Sequence, residues 1–271
     1  MQQQESWQLA GSSPESYERY QVPSLFRPLA ERLLAVMPLR AGERVLDVAC
    51  GTGIVARLAA QQVGPTGLVT GVDLNPGMLA VARAHTPTSG AAIDWREGDA
   101  GALPCADGSY HVVLCQQGFQ FFPDQPQALR EMHRVLMPGG RVALSVWRSI
   151  EHNPFNQAVA AGLSRYGSAE AAASIRAPFA HGDAQVLQTR IAAAGFHNVA
   201  VQVQVLQRRL WPPDEAIAGY LASTPLAQAV AAFVEEVRTA LIRDIREALQ
   251  PYQTPEGLVI PQATHMALAY K

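Results

Sequence analysis

The sequence predicts an α/β fold in which helices cover both faces of a mostly parallel sheet. Two observations predict it: short apolar runs alternate with helical stretches from residue 44 onward, and a glycine-rich turn follows the first of those runs. The predicted strands are 44–49, 68–73, 93–97, 110–115 and 141–147, with helices at 53–62, 76–84 and 125–136 between them. Hydrophobic residues make up 48% of the chain, which is enough to fill such a core.

Composition excludes several classes of function. The net charge of −2 provides no basic surface for nucleic acid or an anionic membrane. Lys271 is the only lysine, so Schiff-base catalysis and a P-loop lysine are excluded. The three cysteines lack metal-ligand spacing, and no apolar run reaches the length of a membrane span. We therefore expect a cytoplasmic protein without a metal site.

The turn after the first strand is the strongest motif. Residues 46–53 read LDVACGTG, so Gly51, Thr52 and Gly53 lie between a strand and a helix. Glycines let a backbone approach a ligand closely, and the following helix presents unpaired N–H groups at the same point. In open parallel sheets ligands bind at this crevice. Asp47 lies just before the turn, where a carboxylate attracts a cationic amino group.

Two more acidic positions follow the next strands. Asp73 ends the second strand, about twenty residues after the turn, where a carboxylate accepts hydrogen bonds from ribose hydroxyls. Leu74 is expected against an adenine face. Asp99 and the amide of Ala100 follow the third strand and are expected to bind the adenine edge. Together these residues predict a nucleoside site.

Five segments stand in the order and spacing of class I S-adenosylmethionine-dependent methyltransferases: 45–53, 71–75, 98–100, 103–104 and 134–140. The chain most resembles the type 11 group, which includes ubiquinone and menaquinone C-methyltransferases and natural-product methyltransferases. The resemblance is dense over about residues 40–150. It implies S-adenosylmethionine as cofactor and a Rossmann-like seven-stranded sheet whose last strand is antiparallel.

The resemblance also assigns roles by position. Gly51, Thr52 and Gly53 would wrap the methionine part of the cofactor, and Gln116 would approach it after the fourth strand. Tyr20 lies in an N-terminal helix that resembles the lid of this group, where it would either close over the cofactor or only pack between helices. Ala49 and Met78 complete the predicted cofactor-binding set.

Two alternatives stay open. Residues 51–56, GTGIVA, also fit the G-x-G-x-x-A pattern of nicotinamide-dependent oxidoreductases, with Asp73 as the ribose acid. Asp47, Asp99 and the missing second mononucleotide-binding half favour the methyltransferase. The second alternative is a protein or cyclase that binds S-adenosylmethionine without transferring its methyl group.

We predict four segments along the chain: a helical lid (1–40), a cofactor-binding core (41–206), a helical cap insertion (207–262) and a final core strand (263–271). The cap is rich in Ala, Leu and Val, which indicates a small, fairly apolar methyl acceptor. His152 follows the fifth strand and is the candidate catalytic base. An apolar stripe from Leu226 to Leu249 indicates helix packing or a homodimer contact.

Overall fold

The computed structural model describes residues 9–271, so the first eight residues of the predicted lid lie outside the described part. Its strands form one sheet in the order β3-β2-β1-β4-β5-β8-β6, with β7 paired to β8 alone. Their bounds are β1 Arg44–Val48, β2 Leu68–Asp73, β3 Ala92–Glu97, β4 Tyr110–Gln116, β5 Leu136–Trp147, β6 His197–Leu210, β7 Gln253–Thr254 and β8 Gly257–Tyr270.

Strands β1 to β5 pair in parallel, and β8 runs antiparallel between β5 and β6. The predicted α/β class, with an antiparallel final strand, is confirmed. The two-residue strand β7 is an addition to the predicted seven. An all-parallel dinucleotide-binding sheet has no such antiparallel strand, so the topology disfavours the oxidoreductase alternative.

Twelve helices accompany the sheet in the described residues. Their bounds are α1 Ser13–Ser16, α2 Tyr17–Phe26, α3 Arg27–Val36, α4 Ile54–Val63, α5 Pro76–Ala84, α6 Gln125–Val135, α7 Pro154–Tyr166, α8 Ala169–Arg176, α9 Ala184–Ala193, α10 Pro213–Ala222, α11 Ala227–Ala231 and α12 Glu235–Ala248, besides short 3₁₀ turns. Several begin at capping side chains. Asn75 accepts from the amides of Gly77 and Met78, and Asp183 caps α9 in the same way.

The sheet has a separate apolar core on each face. Helices α3 and α4 pack on one face through residues such as Leu29, Leu33 and Ala59. Helices α6 and α9 pack on the other through Leu129, Met132 and Ile191. Because both faces are covered, β1 and β4 are almost continuously buried, which explains their unbroken apolar sequences.

A third core forms the cap. The outer ends of β6 and β8 extend beyond β5, and helices α7, α8, α10 and α12 pack on them. Leu241, Ile245 and Leu249 of the predicted stripe are fully buried in this core, so the stripe serves packing within the cap. β6 runs to Leu210, past the predicted core boundary at 206, and β8 begins at Gly257, before the predicted start at 263, since both continue into the cap.

The N-terminal helices cross from the core to the cap. Helix α2 is π-helical over ten residues and contains Pro23. No helix in residues 9–271 is long and apolar enough to cross a membrane. Nor does that part of the chain contain a group of acidic, histidine or cysteine side chains arranged for a metal ion.

Candidate functional site

A cavity of about 290 Å³ lies at the carboxyl ends of β1, β2 and β4, enclosed by the lid helix α2 and the cap. Its position follows from the topology, because strand order reverses between β1 and β4 and leaves a crevice there. Eight of the predicted cofactor residues lie on its wall: Ala49, Gly51, Asp73, Leu74, Met78, Asp99, Ala100 and Gln116.

The glycine turn forms one wall of the cavity. Ala49, Gly51 and Gly53 all have left-handed backbone angles, with φ of 56°, 55° and 85°. These angles turn the chain sharply from β1 into α4. Because Ala49 carries a Cβ in this region, its conformation costs about 1–3 kcal/mol that the surrounding structure must offset.

Asp73 connects that turn to β2. One carboxylate oxygen accepts from the Gly51 amide at 2.7 Å, and the other accepts from the Asn75 amide at 2.8 Å. Burial raises the pKa of Asp73, and the hydrogen bonds from Asn75 and Gly51 counter that rise. A carboxylate has about four acceptor positions, so Asp73 has remaining capacity for a ligand hydroxyl beyond these amides.

Asp47 lies behind the cavity wall, with its side chain buried. One oxygen accepts from the Ala56 amide at 3.0 Å, and Oδ1 has no hydrogen-bond partner. Burial, together with the nearby Asp73, raises the pKa of Asp47 to about 8. At neutral pH Asp47 is therefore mostly protonated, and a cationic ligand bound nearby would favour its ionised form.

Four predicted cofactor residues do not line the cavity. Asp47 and Thr52 are buried behind it, and a Cβ on Gly53 would lie 2.3 Å from the ring of Trp95. Gly53 therefore permits close packing against that ring and the start of α4. Tyr20 packs on Gly219 of the cap, where a Cβ would lie 2.4 Å from its ring. These four residues lie off the cavity wall, and their assignment to the cofactor stays a prediction.

Tyr17, three residues before Tyr20, lies on the cavity wall instead. Its ring stacks on Phe26 at 4.9 Å, and Phe26 lies 6.4 Å from the ring of Trp147. Burial raises the pKa of Tyr17 well above its ordinary value, and the negative charges of Asp73, Glu18 and Asp47 add to that effect. Tyr17 is thus a neutral phenol beside the acidic part of the cavity.

The lid is held on two sides. Towards the core, Glu18 pairs with Arg57 of α4 at 2.7 Å, and Gln116 donates to the Phe26 carbonyl at 3.2 Å. Towards the cap, Gln21 donates to the hydroxyl of Ser223 at 2.8 Å. These contacts close the cavity above the glycine turn.

His152 does not lie on the cavity wall. It is exposed in a 3₁₀ turn after β5, where its Nε2 lies 2.9 Å from Nη2 of Arg148. The sequence placed it correctly after the strand, but the turn directs its side chain to solvent. The wall contains no histidine among the described residues, so the prediction of His152 as a catalytic base is not supported by its position.

Sequence reasoning missed the part of the wall that the cap provides. These residues are Asn156, Ile175, Pro178, Phe179, Arg208, Tyr220, Ser223, Thr224 and Pro225. They come from four separate segments and share no motif. A fully buried arginine in a strand, Arg208, is the one unusual member of this set.

The residues present fit S-adenosylmethionine. Gln116 Oε1 is buried on the wall without a hydrogen-bond partner, so it can accept from a ligand ammonium. Asp73 offers unused acceptor positions to hydroxyls, and the apolar side chains of Leu74 and Met78 border the same region. The acidic groups match the positive charges of a sulfonium and an ammonium.

Three features together define the class I methyltransferase architecture: the order of the strands, the glycine turn and the acidic cavity. Residues 45–140 match the family described as "Methyltransferase domain". The chain therefore contains a class I methyltransferase domain, and both the predicted resemblance and S-adenosylmethionine as the cofactor of this class are confirmed.

Relatives and solved structures agree on this class. A 2-phytyl-1,4-naphtoquinone methyltransferase of Synechococcus elongatus is 40% identical over 122 residues, which are 44% of this chain and 51% of the relative. The chain thus matches about half the length of that relative. A candidate methyltransferase from Bacillus halodurans superimposes with a TM-score of 0.56 at 22% identity, covering 89% of this chain and 98% of that one.

The fold alone does not define the reaction. The [4+2]-cyclase SpnF shares it, with a TM-score of 0.52 and 20% identity over 90% of this chain and 80% of that one. The family match ends at residue 140, whereas the cap part of the cavity wall comes from residues 156–225. The acceptor must therefore be argued from the cavity itself.

Proposed function

We propose that this chain transfers the methyl group of S-adenosylmethionine to a small acceptor with a flat, largely apolar ring. The observation that carries the proposal is the division of one cavity into two parts of different chemistry. Acidic and glycine residues form the part at β1–β3, and aromatic side chains form the part under the lid and cap. The similarity to a quinone methyltransferase covers the cofactor-binding half, so it supports the methyl donor, and the acceptor is argued from the cavity wall.

In the bound state, S-adenosylmethionine supplies an activated methyl group on a positively charged sulfur. Asp73 would hold the ribose and Asp99 with Ala100 the adenine, as the resemblance implies. Gln116, with Asp47 behind the turn, would face the methionine ammonium. Positioning of this kind lowers the barrier of a bimolecular displacement by fixing both reactants in one geometry.

The acceptor part of the cavity has an aromatic wall. Trp147 stacks on Phe179 with a ring separation of 5.9 Å, and Phe26 borders Trp147. Flat rings bind well between such side chains, since each buried aromatic surface contributes hydrophobic and stacking energy. The lid and cap cover part of the cavity, so a bound acceptor would be aligned in a largely apolar environment.

Location and partners belong to the same proposal. Cys50, Cys105 and Cys115 are all free and buried, which supports the predicted cytoplasmic location. We propose a small-molecule acceptor rather than nucleic acid, because the described cavity wall carries a single basic side chain. The homodimer remains a prediction.

Product analysis tests the function. Purified protein is incubated with S-adenosylmethionine and a panel of phenols, hydroquinones and aromatic acids, and S-adenosylhomocysteine is measured by mass spectrometry. We expect acceptor-dependent release that the Asp73→Ala variant lacks. Tight cofactor binding by calorimetry without release for any acceptor would instead indicate a non-methylating protein or cyclase. Binding of a nicotinamide cofactor alone would overturn the proposal.

A further inference from the structure

Arg208 is the most unusual buried side chain in the cap. It lies near the end of β6, opposite Ile260 of β8, and only 1% of its surface is exposed. It is nevertheless on the wall of the cavity. Its neighbour Arg209 points outward and pairs with Glu256, as an arginine on a strand face normally does.

The guanidinium of Arg208 has no anionic partner. Its Nε and Nη1 atoms are buried without a hydrogen-bond partner, and it takes part in none of the ion pairs in residues 9–271. Burial lowers the pKa of Arg208 to about 10, so it remains cationic at neutral pH. The contrast with Arg57 and Arg141 is clear, because each of these partly buried arginines pairs with a glutamate at 2.7 Å.

Two aromatic rings hold the guanidinium in place. Its central carbon lies 4.3 Å from the ring centre of Phe155 and 5.2 Å from that of Tyr220. Tyr220 is itself fixed by a hydrogen bond from Asn156 at 3.0 Å. Cation–π contacts offset only part of the cost of removing a charge from water. An arginine that is rigid, cationic and unpaired is preorganised to bind an anion.

We infer that Arg208 binds an anionic oxygen of the methyl acceptor, either a carboxylate or an ionised hydroxyl. The inference rests on the proposed function and specifies its substrate. The planar guanidinium matches the geometry of a carboxylate, and a phenolate or enolate oxygen offers the same charge. Arg208 is a specificity-determining residue in this assignment.

The charges on the cavity wall determine the orientation of the bound acceptor. Asp73 and Asp99 lie in the part that receives the cationic cofactor, and Arg208 is the only basic side chain on the described wall. An anionic acceptor is repelled by the first group and attracted by the second. The anionic end therefore lies against the cap, and the apolar body lies between Arg208 and the cofactor.

A purely structural role for Arg208 makes the opposite prediction about stability. If the cation–π contacts are its purpose, then Arg208→Met lowers the melting temperature. If Arg208 serves the acceptor, then Met, of similar length and without a charge to desolvate, leaves the melting temperature equal or higher. Arg209→Gln is the matched control, since it removes the adjacent exposed arginine of the same strand.

Calorimetry on the full chain saturated with S-adenosylhomocysteine tests the assignment. The probes are 2-naphthoate with its neutral isostere 2-naphthamide, and 4-nitrophenolate with 4-nitroanisole. We expect at least one anion to bind at least tenfold more tightly than its neutral partner. Arg208→Met and Arg208→Gln should lose that preference, and Arg209→Gln should keep it. Preference for naphthoate alone assigns a carboxylate, and preference for nitrophenolate assigns an ionised hydroxyl.

Equal affinity for charged and neutral probes in the unmodified protein would overturn the inference, as would a preference that survives in Arg208→Gln. Binding of S-adenosylhomocysteine is measured first in every variant and should be unchanged. If the unmodified protein fails to bind it, the proposed function fails, whatever the probes show. If it binds and only the charge preference is absent, the assignment of Arg208 alone is wrong.

Discussion

The cofactor part and the cap part of the cavity differ in how their buried charges are paired. At the ends of β1 and β2, the Asp73 carboxylate accepts from two backbone amides at 2.7 and 2.8 Å. In the cap, Arg208 is buried between aromatic rings without an anionic partner. The first charge is built into the turn and maintains its shape. The second charge, on Arg208, has no partner within the protein. The cofactor part therefore keeps its structure without a ligand, whereas the charge in the cap part is paired only when an anionic ligand binds.

The largest expected effect concerns Asp73. Asp73→Ala removes the ribose acceptor and leaves the Gly51 and Asn75 amides unpaired, so cofactor affinity should fall by about 2–4 kcal/mol. Calorimetric titration with S-adenosylhomocysteine measures it. Asp94→Ala, an exposed acid on β3 paired with Arg96, is the control and should bind normally. Unchanged affinity in Asp73→Ala would refute the ribose assignment.

The next test concerns the contact between the lid and the cap. Gly219→Ala places a Cβ where the Tyr20 ring lies, which should destabilise the lid–cap contact by about 1–3 kcal/mol. We expect a lower kcat/KM for methyl transfer and a lower melting temperature. The double variant Tyr20→Ala with Gly219→Ala removes the clash and should recover part of the loss in kcat/KM. No recovery would mean that the contact acts only through folding of the cap.

A smaller effect is expected at Asp47, whose pKa of about 8 lies above its ordinary value near 4. Folding therefore favours the protonated form. The stability this gives is complete below about pH 4 and is lost as the pH rises towards 8. Asp47→Asn keeps the acceptor for the Ala56 amide and removes the charge.

The Asp47→Asn variant should thus be more stable than the unmodified protein at pH 8, by about 1–2 kcal/mol, and equally stable near pH 4. Thermal unfolding across this range measures the difference. Its cofactor affinity should fall several-fold at pH 8, because one negative charge behind the turn is gone. A stability difference that does not vary with pH would contradict the raised pKa.

The smallest effect is expected at His152. Because this side chain is exposed and outside the cavity, His152→Ala should change kcat/KM less than twofold and stability by less than about 0.5 kcal/mol. Steady-state kinetics with an accepted substrate measures it. A hundredfold loss would restore His152 as a catalytic base and would require the turn at 150–152 to move.

The cofactor part was largely predictable because its residues lie at the ends of successive strands. The glycines follow β1, Asp73 ends β2 and Asp99 comes shortly after β3, and the parallel topology brings these strand ends together. Tyr17 rather than Tyr20 lies on the wall, since the π-helical winding of α2 changes which of its residues face the cavity. Periodicity of 3.6 residues cannot anticipate that change.

The cap part was not predictable for a different reason. The alternating valines of β6 indicate a strand, yet Val203 and Val205 are 46% and 52% exposed, and the opposite face, with Arg208 and Leu210, is buried. Only the inner part of β6 contacts the core beneath α9, whereas its outer part faces lid and cap. Alternation identifies two faces, and tertiary packing decides which is covered.

The double attachment of the lid has a kinetic consequence. Glu18 ties α2 to the core helix α4, and Gln21 ties it to the end of α10 in the cap. Opening over the cofactor must therefore also loosen the wall of the acceptor pocket. A motion of α2 that releases a ligand from the cofactor part would then also open the cap part, so ligand exchange in the two parts is coupled.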